Sequence, residues 1–91
     1  MQNWYNKNTD DLCKAILSLK TKEECYAFFE DLCTVPEMKA MAQRAAVAKL
    51  LYDKTVYNDI VEKTGASTAT ISRVNRSLAY GAGGYDIVFN K

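Results

Sequence analysis

Histidine is absent from the 91 residues, which removes the commonest general base and the commonest metal ligand together. Hydrolytic and metal-assisted chemistry therefore start without their usual residues, and no catalytic or metal site is expected. A single proline and four glycines leave little punctuation for a many-stranded β protein. Wholly apolar runs extend only a few residues, far short of the roughly 20 that cross a bilayer, so no membrane partner is expected. No apolar stretch follows a basic start, so no secretory signal is expected and the expected location is cytoplasmic. Cysteine is sparse and odd in number: Cys13, Cys25 and Cys33. On a helix, Cys25 and Cys33 share a face with Phe29, which suits buried reduced thiols packing as small hydrophobes rather than zinc ligands.

Charge of one sign is also scarce, with 12 basic against 11 acidic residues. The balance is not uniform. Residues 1–33 carry four basic and six acidic side chains, whereas 34–80 carry seven basic and four acidic. A DNA-binding domain usually shows a stronger basic bias. The charge permits nucleic acid only if the positive groups converge on one surface or a dimer doubles them. What the chain does have is apolar substance, 48% of its residues, enough for an ordinary folded domain.

Those apolar residues recur at helical spacing almost throughout. Leu12, Ile16 and Leu19 mark a first helix beginning near Asp10. Thr21-Lys22-Glu23-Glu24 fits a capping box, and the stripe of Cys25, Phe28, Phe29 and Leu32 carries a second helix to about Cys33. Thr34 is placed to cap a third helix, with Pro36 in its first turn, where a missing N–H costs nothing. Met38, Met41, Ala42, Ala45, Val47, Ala48, Leu51 and Tyr52 make this helix apolar over most of its circumference, as suits contact with several neighbours. The fold class is all-α.

The informative stretch runs from Thr55 to Leu78. Thr55 is placed to cap a short helix bearing Val56, Ile60 and Val61, which ends at Lys63-Thr64-Gly65. Gly65 stands where a chain leaving a helix needs positive φ. Two residues on, Ser67 caps the next helix, whose buried stripe is Ile71, Val74 and Leu78. Two helices joined by about three residues with glycine at the centre form a helix-turn-helix signature. The flank opposite the stripe holds Ala69, Ser72, Arg73 and Arg76, with Thr68 at its leading end. Small residues let a helix end approach base edges in the major groove. The arginines, and the free N–H groups near Ser67, suit guanine or phosphate. Ser67, Thr68, Ala69, Ser72, Arg73 and Arg76 are therefore the candidate DNA-binding residues. The plain alternative is a solvated helix face; the preceding capped helix and glycine turn weigh against it. Gly81 ends the helix, and beyond Gly83-Gly84 the tail can dock through Ile87, Val88 and Phe89 or stay mobile.

The run from Thr64 to Arg73 resembles the turn and recognition helix of many bacterial repressors. Taken with Met41-Ala42-Gln43-Arg44-Ala45 upstream, the chain resembles the Trp repressor superfamily over about residues 10–85, and within it the YerC/YecD group of small Trp-repressor-like proteins. The resemblance implies five or more helices in an intertwined homodimer. Residues 1–91 would then form one domain, with 10–54 as core and dimerisation helices, 55–80 as the helix-turn-helix and 81–91 as a tail. A two-fold dimer sets its recognition helices one DNA turn apart, roughly 34 Å, on a near-palindromic operator. In the Trp repressor the base contacts are largely water-mediated, which suits the hydroxyls of Thr68 and Ser72.

The resemblance also marks Arg44 and Arg73 as the positions of the two arginines that grip the amino-acid co-repressor, with Thr34 and Ser77 at further ligand-site positions. The type member has glycine after the second arginine, leaving room for an indole. This chain has Val74 there, and its Tyr85–Lys91 tail stops short of the family's last helix. L-Tryptophan is therefore not expected to bind, and no cofactor is expected. The expected function is that of a repressor, a sequence-specific DNA-binding transcriptional regulator acting on duplex DNA as a homodimer. The competing reading is a helical dimeric protein-interaction module without DNA binding, favoured by the weak net charge. An enzyme is disfavoured, since the six tyrosines and scattered carboxylates form no catalytic pattern.

Overall fold

The computed structural model describes residues 3–91. Among them the secondary structure is helical throughout: α1 (Lys7–Leu17), α2 (Lys22–Leu32), α3 (Val35–Tyr52), α4 (Tyr57–Thr64), α5 (Thr68–Tyr80) and α6 (Gly84–Phe89). The chain divides into two compact units, Met1–Val35 and Pro36–Lys91.

The first unit holds α1 and α2. α1 begins three residues earlier than the apolar spacing predicts, because Asn6 caps it. The Asn6 side chain accepts the Thr9 N–H at 3.0 Å, and the Thr9 hydroxyl accepts the Asn6 N–H at 2.8 Å. Polar cap chemistry, not the apolar stripe, sets that boundary, and Leu19 falls beyond the helix end at Leu17. At α2 the Thr21 hydroxyl accepts the Glu24 N–H at 3.0 Å. The Glu24 carboxylate reaches past Thr21 to the Lys20 N–H at 2.7 Å, so the box closes one residue upstream of the usual pattern. No described residue of this unit is fully buried. The cysteines depart from expectation accordingly: Cys13 is exposed, and Cys25 and Cys33 are only half-buried. Two short helices do not enclose an interior that would hide them.

The second unit has a core. Val47 and Ala48 from α3, Ile60 from α4, Ala66 from the α4–α5 turn, and Ile71 and Val74 from α5 form one buried cluster. α3 ends where Lys54 adopts a left-handed conformation, φ 68°. The Thr55 N–H then returns to the Leu50 carbonyl at 2.9 Å, the wide hydrogen bond of a Schellman turn. Thr55 lies in this closing turn, one residue before the cap position of α4, and does not cap that helix. Val56 occupies the cap position without a side-chain hydrogen bond.

The C-terminal segment, which the sequence leaves open between docking and mobility, is a helix that docks, through Tyr85 and Phe89 and not through Ile87 and Val88. α6 starts after Gly83 at φ 82°. Tyr85 and Phe89, one turn apart, pack against the core, whereas Ile87 and Val88 face solvent. Phe89 lies 5.8 Å from the Tyr52 ring, and the Tyr52 hydroxyl donates to Asp86 at 3.1 Å. Partial burial first, and then the Asp86 carboxylate, push the Tyr52 hydroxyl above its ordinary pKa. No described helix is long and apolar enough to cross a membrane.

Candidate nucleic-acid interface

α4 and α5 are joined by three residues, Gly65, Ala66 and Ser67, each with a distinct physical task. Gly65 takes φ 71° and ψ 6° and donates its N–H to the Val61 carbonyl at 2.8 Å. This left-handed step costs a side-chain-bearing residue free energy and costs glycine nothing comparable. Ala66 turns inward and is 2% exposed, so the turn is anchored in the core. Its N–H donates to the Thr64 hydroxyl at 3.1 Å, which itself donates to the Ile60 carbonyl at 2.7 Å. Ser67 caps α5 by accepting the Thr70 N–H at 3.1 Å.

The same cap leaves the N–H groups of Thr68 and Ala69, the first two of the helix, without a partner in the preceding turn. Such groups, at the positive end of the helix dipole, favour an anion.

The register of α5 follows from its apolar residues. Ile71 is 0% exposed and Val74 2%, while Leu78 is half-buried. With that ridge inward, Ser67, Thr68, Ala69, Ser72, Arg73 and Arg76 are all exposed. Hydroxyls and a methyl lie at the leading end, guanidinium groups further along. Neither Arg73 nor Arg76 forms an ion pair with a described residue, and both side chains are exposed. The six DNA-binding candidates thus stand together on one cap and one helix.

The effector candidates are divided between the two units. Arg73 and Ser77 lie one turn apart on α5, the Ser77 hydroxyl directed to the Arg73 carbonyl at 3.4 Å. Arg44 is exposed on α3, and Thr34 belongs to the other unit. A groove of about 410 Å³ at the α3, α5 and α6 ends is lined in part by Tyr52, Lys54, Asn75, Ser77 and Asp86, and by neither arginine.

Two residues support this surface through contacts that no local sequence pattern reveals. Gln43 of α3 donates its side-chain amide to the Thr64 carbonyl at 3.2 Å, and glutamine on a helix normally reads as solvated surface. Thr64 reads simply as the residue before the turn, yet its hydroxyl bridges the last turn of α4 to Ala66.

Comparison with known proteins covers nearly the whole chain. The family model described as Trp repressor protein matches residues 7–91. The uncharacterized protein YerC of Bacillus subtilis (strain 168) is 51% identical over 85 residues, covering 93% of this chain and 82% of that protein. The crystal structure of a TrpR-like protein from Eubacterium eligens ATCC 27750 superposes with a TM-score of 0.90 at 58% identity, covering 93% of this chain and 88% of that one. A "putative Trp repressor from Staphylococcus aureus" gives a TM-score of 0.94 at 46% identity over 99% and 92% of the respective chains.

Proposed function

The chain belongs to the Trp repressor protein family, and from that premise we propose that it is a sequence-specific transcriptional repressor that reads duplex DNA as a homodimer. α4 and α5 act as its helix-turn-helix. One observation carries the reading: on α5 the buried Ile71 and Val74 force Ser72, Arg73 and Arg76 to the exposed flank, directly behind a glycine turn of the correct length. A helix so pinned can present its hydroxyl-rich end and two guanidinium groups to a groove without rearrangement. Two copies related by a two-fold axis read a near-palindromic site.

The dimer is supported by what a single chain leaves uncovered. α1 and α2 carry apolar stripes, yet no described residue of the first unit is buried. On α3, Met41 remains 37% exposed. Apolar helix faces of this kind gain stability by burial against a partner.

Val74 argues against L-tryptophan as co-repressor. It fills the core at the position where the Trp repressor has glycine, so its branched side chain occupies the room an indole would need. On this reading the protein works in the cytoplasm, as a regulator rather than an enzyme.

Selection of bound fragments from a random duplex library by the purified full chain tests the reading. Enrichment of a near-palindromic motif with half-sites one helical turn apart is the expected result. A library that stays unenriched contradicts it. The near-neutral net charge, +1, favours a second reading as a protein-interaction module, which duplex affinity insensitive to salt would support.

A further inference from the structure

We propose that Gln43 is a positioning residue for the DNA-reading helix: its amide fixes the α4–α5 turn to α3, and so sets the angle at which α5 meets the groove. The inference rests on the DNA-binding reading and deepens it. The Thr64 carbonyl closes α4, and carbonyls in a helix's last turn lack intrahelical donors. Gln43 supplies that donor from 21 residues away, at 3.2 Å and partly shielded from solvent. The buried cluster that joins α3 to the helix pair, through Val47, Ala48, Ile60 and Ile71, is apolar. Apolar burial is non-directional and holds helices together without specifying a rotation. A hydrogen bond prefers near-linear geometry. Through Thr64 the constraint passes to Ala66, whose N–H rests on the Thr64 hydroxyl, and then to Ser67, the cap of α5. Small rotations at this node would move the hydroxyls of Thr68 and Ser72, at the leading end of α5, off base edges, while the long Arg73 and Arg76 side chains still reach phosphates.

The test compares the full-length wild type with Gln43→Met, which keeps length and helix preference but loses the donor, and with Gln43→Lys, which restores a donor. Each is titrated with the library-selected duplex and with a random duplex of equal length. Gln43→Met should bind the selected duplex about 10-fold more weakly, the value of roughly one hydrogen bond, with random-duplex affinity unchanged. Gln43→Lys should recover the ratio of the two affinities, a measure its added charge does not distort. Faster hydrogen exchange at the Ala66 amide in Gln43→Met should accompany the loss. A Gln43→Met ratio equal to wild type, or a parallel fall of both affinities, overturns the positioning role alone. A wild type that prefers no duplex overturns the DNA-binding reading and this inference with it.

Discussion

The Thr64 hydroxyl accepts the Ala66 backbone N–H at 3.1 Å while donating to the Ile60 carbonyl at 2.7 Å. One side chain thus ties the last turn of α4 to the residue that anchors the turn in the core. Gly65, between them, carries the left-handed step. The turn is defined by hydrogen bonds on its flanks and by Ala66 beneath it, so α5 leaves it in a set direction.

Two left-handed residues should respond oppositely to substitution. An added Cβ at Gly65 meets nothing within 4 Å, so only backbone strain opposes Gly65→Ala, at about 1–2 kcal/mol. Lys54 already bears that strain at φ 68°, and Lys54→Gly should recover about 1 kcal/mol. Denaturant titrations of the two variants check both signs. A Gly65→Ala protein as stable as wild type would show that the turn relaxes.

Arg73 and Arg76 should contribute to DNA binding separately from folding, because both are exposed. Arg73→Ala or Arg76→Ala should cost about 1–3 kcal/mol on a selected duplex if the guanidinium reads a base, and should weaken all duplexes alike if it meets only phosphate. Melting temperature should stay near wild type. Full binding by the double variant would remove these residues from the interface.

Calorimetric titration of the wild type with L-tryptophan should give no binding heat, because Val74 is packed in the core at 2% exposure. A dissociation constant in the micromolar range would contradict the steric reading. Val74→Gly should not be neutral, since a mid-helix glycine alone costs about 1 kcal/mol and a buried side chain is removed as well.

Met41→Glu places a charge on an apolar α3 face that a single chain leaves 37% exposed. Equilibrium sedimentation should find wild type at twice the chain mass and the variant shifted toward the monomer or less stable. An unchanged sedimentation profile and melting temperature would place Met41 outside the dimer interface.

Legibility in the sequence followed the physical origin of each feature. The α5 register was readable because Ile71 and Val74 repeat on one helical stripe, and the turn was readable because glycine is the residue that tolerates positive φ. Capping was readable at Thr21 and Ser67, where the hydroxyl stands before a clear apolar run. It was misread at Thr55, because a lysine holds the left-handed position where glycine would signal the end of α3. The start of α1 was hidden since Asn6 and Thr9 satisfy each other in a polar segment without apolar period. α6 was left open because the short run after Gly83-Gly84 shows too little repeat to separate a docked helix from a loose tail. The contact of Gln43 with Thr64 was invisible: the donor and the carbonyl it meets are 21 residues apart, and no local pattern links them.

The central claim is that the exposed flank of α5 meets nucleic acid, and the salt dependence of duplex affinity tests it most directly. Releasing counterions from about six to ten phosphates should weaken binding by about 10³–10⁵ between 50 and 200 mM salt. Fluorescence anisotropy of a labelled duplex, titrated with the full-length protein across that range, should give a straight, steep line on logarithmic axes. An affinity that is absent at low salt, or that does not fall as salt rises, would contradict the account.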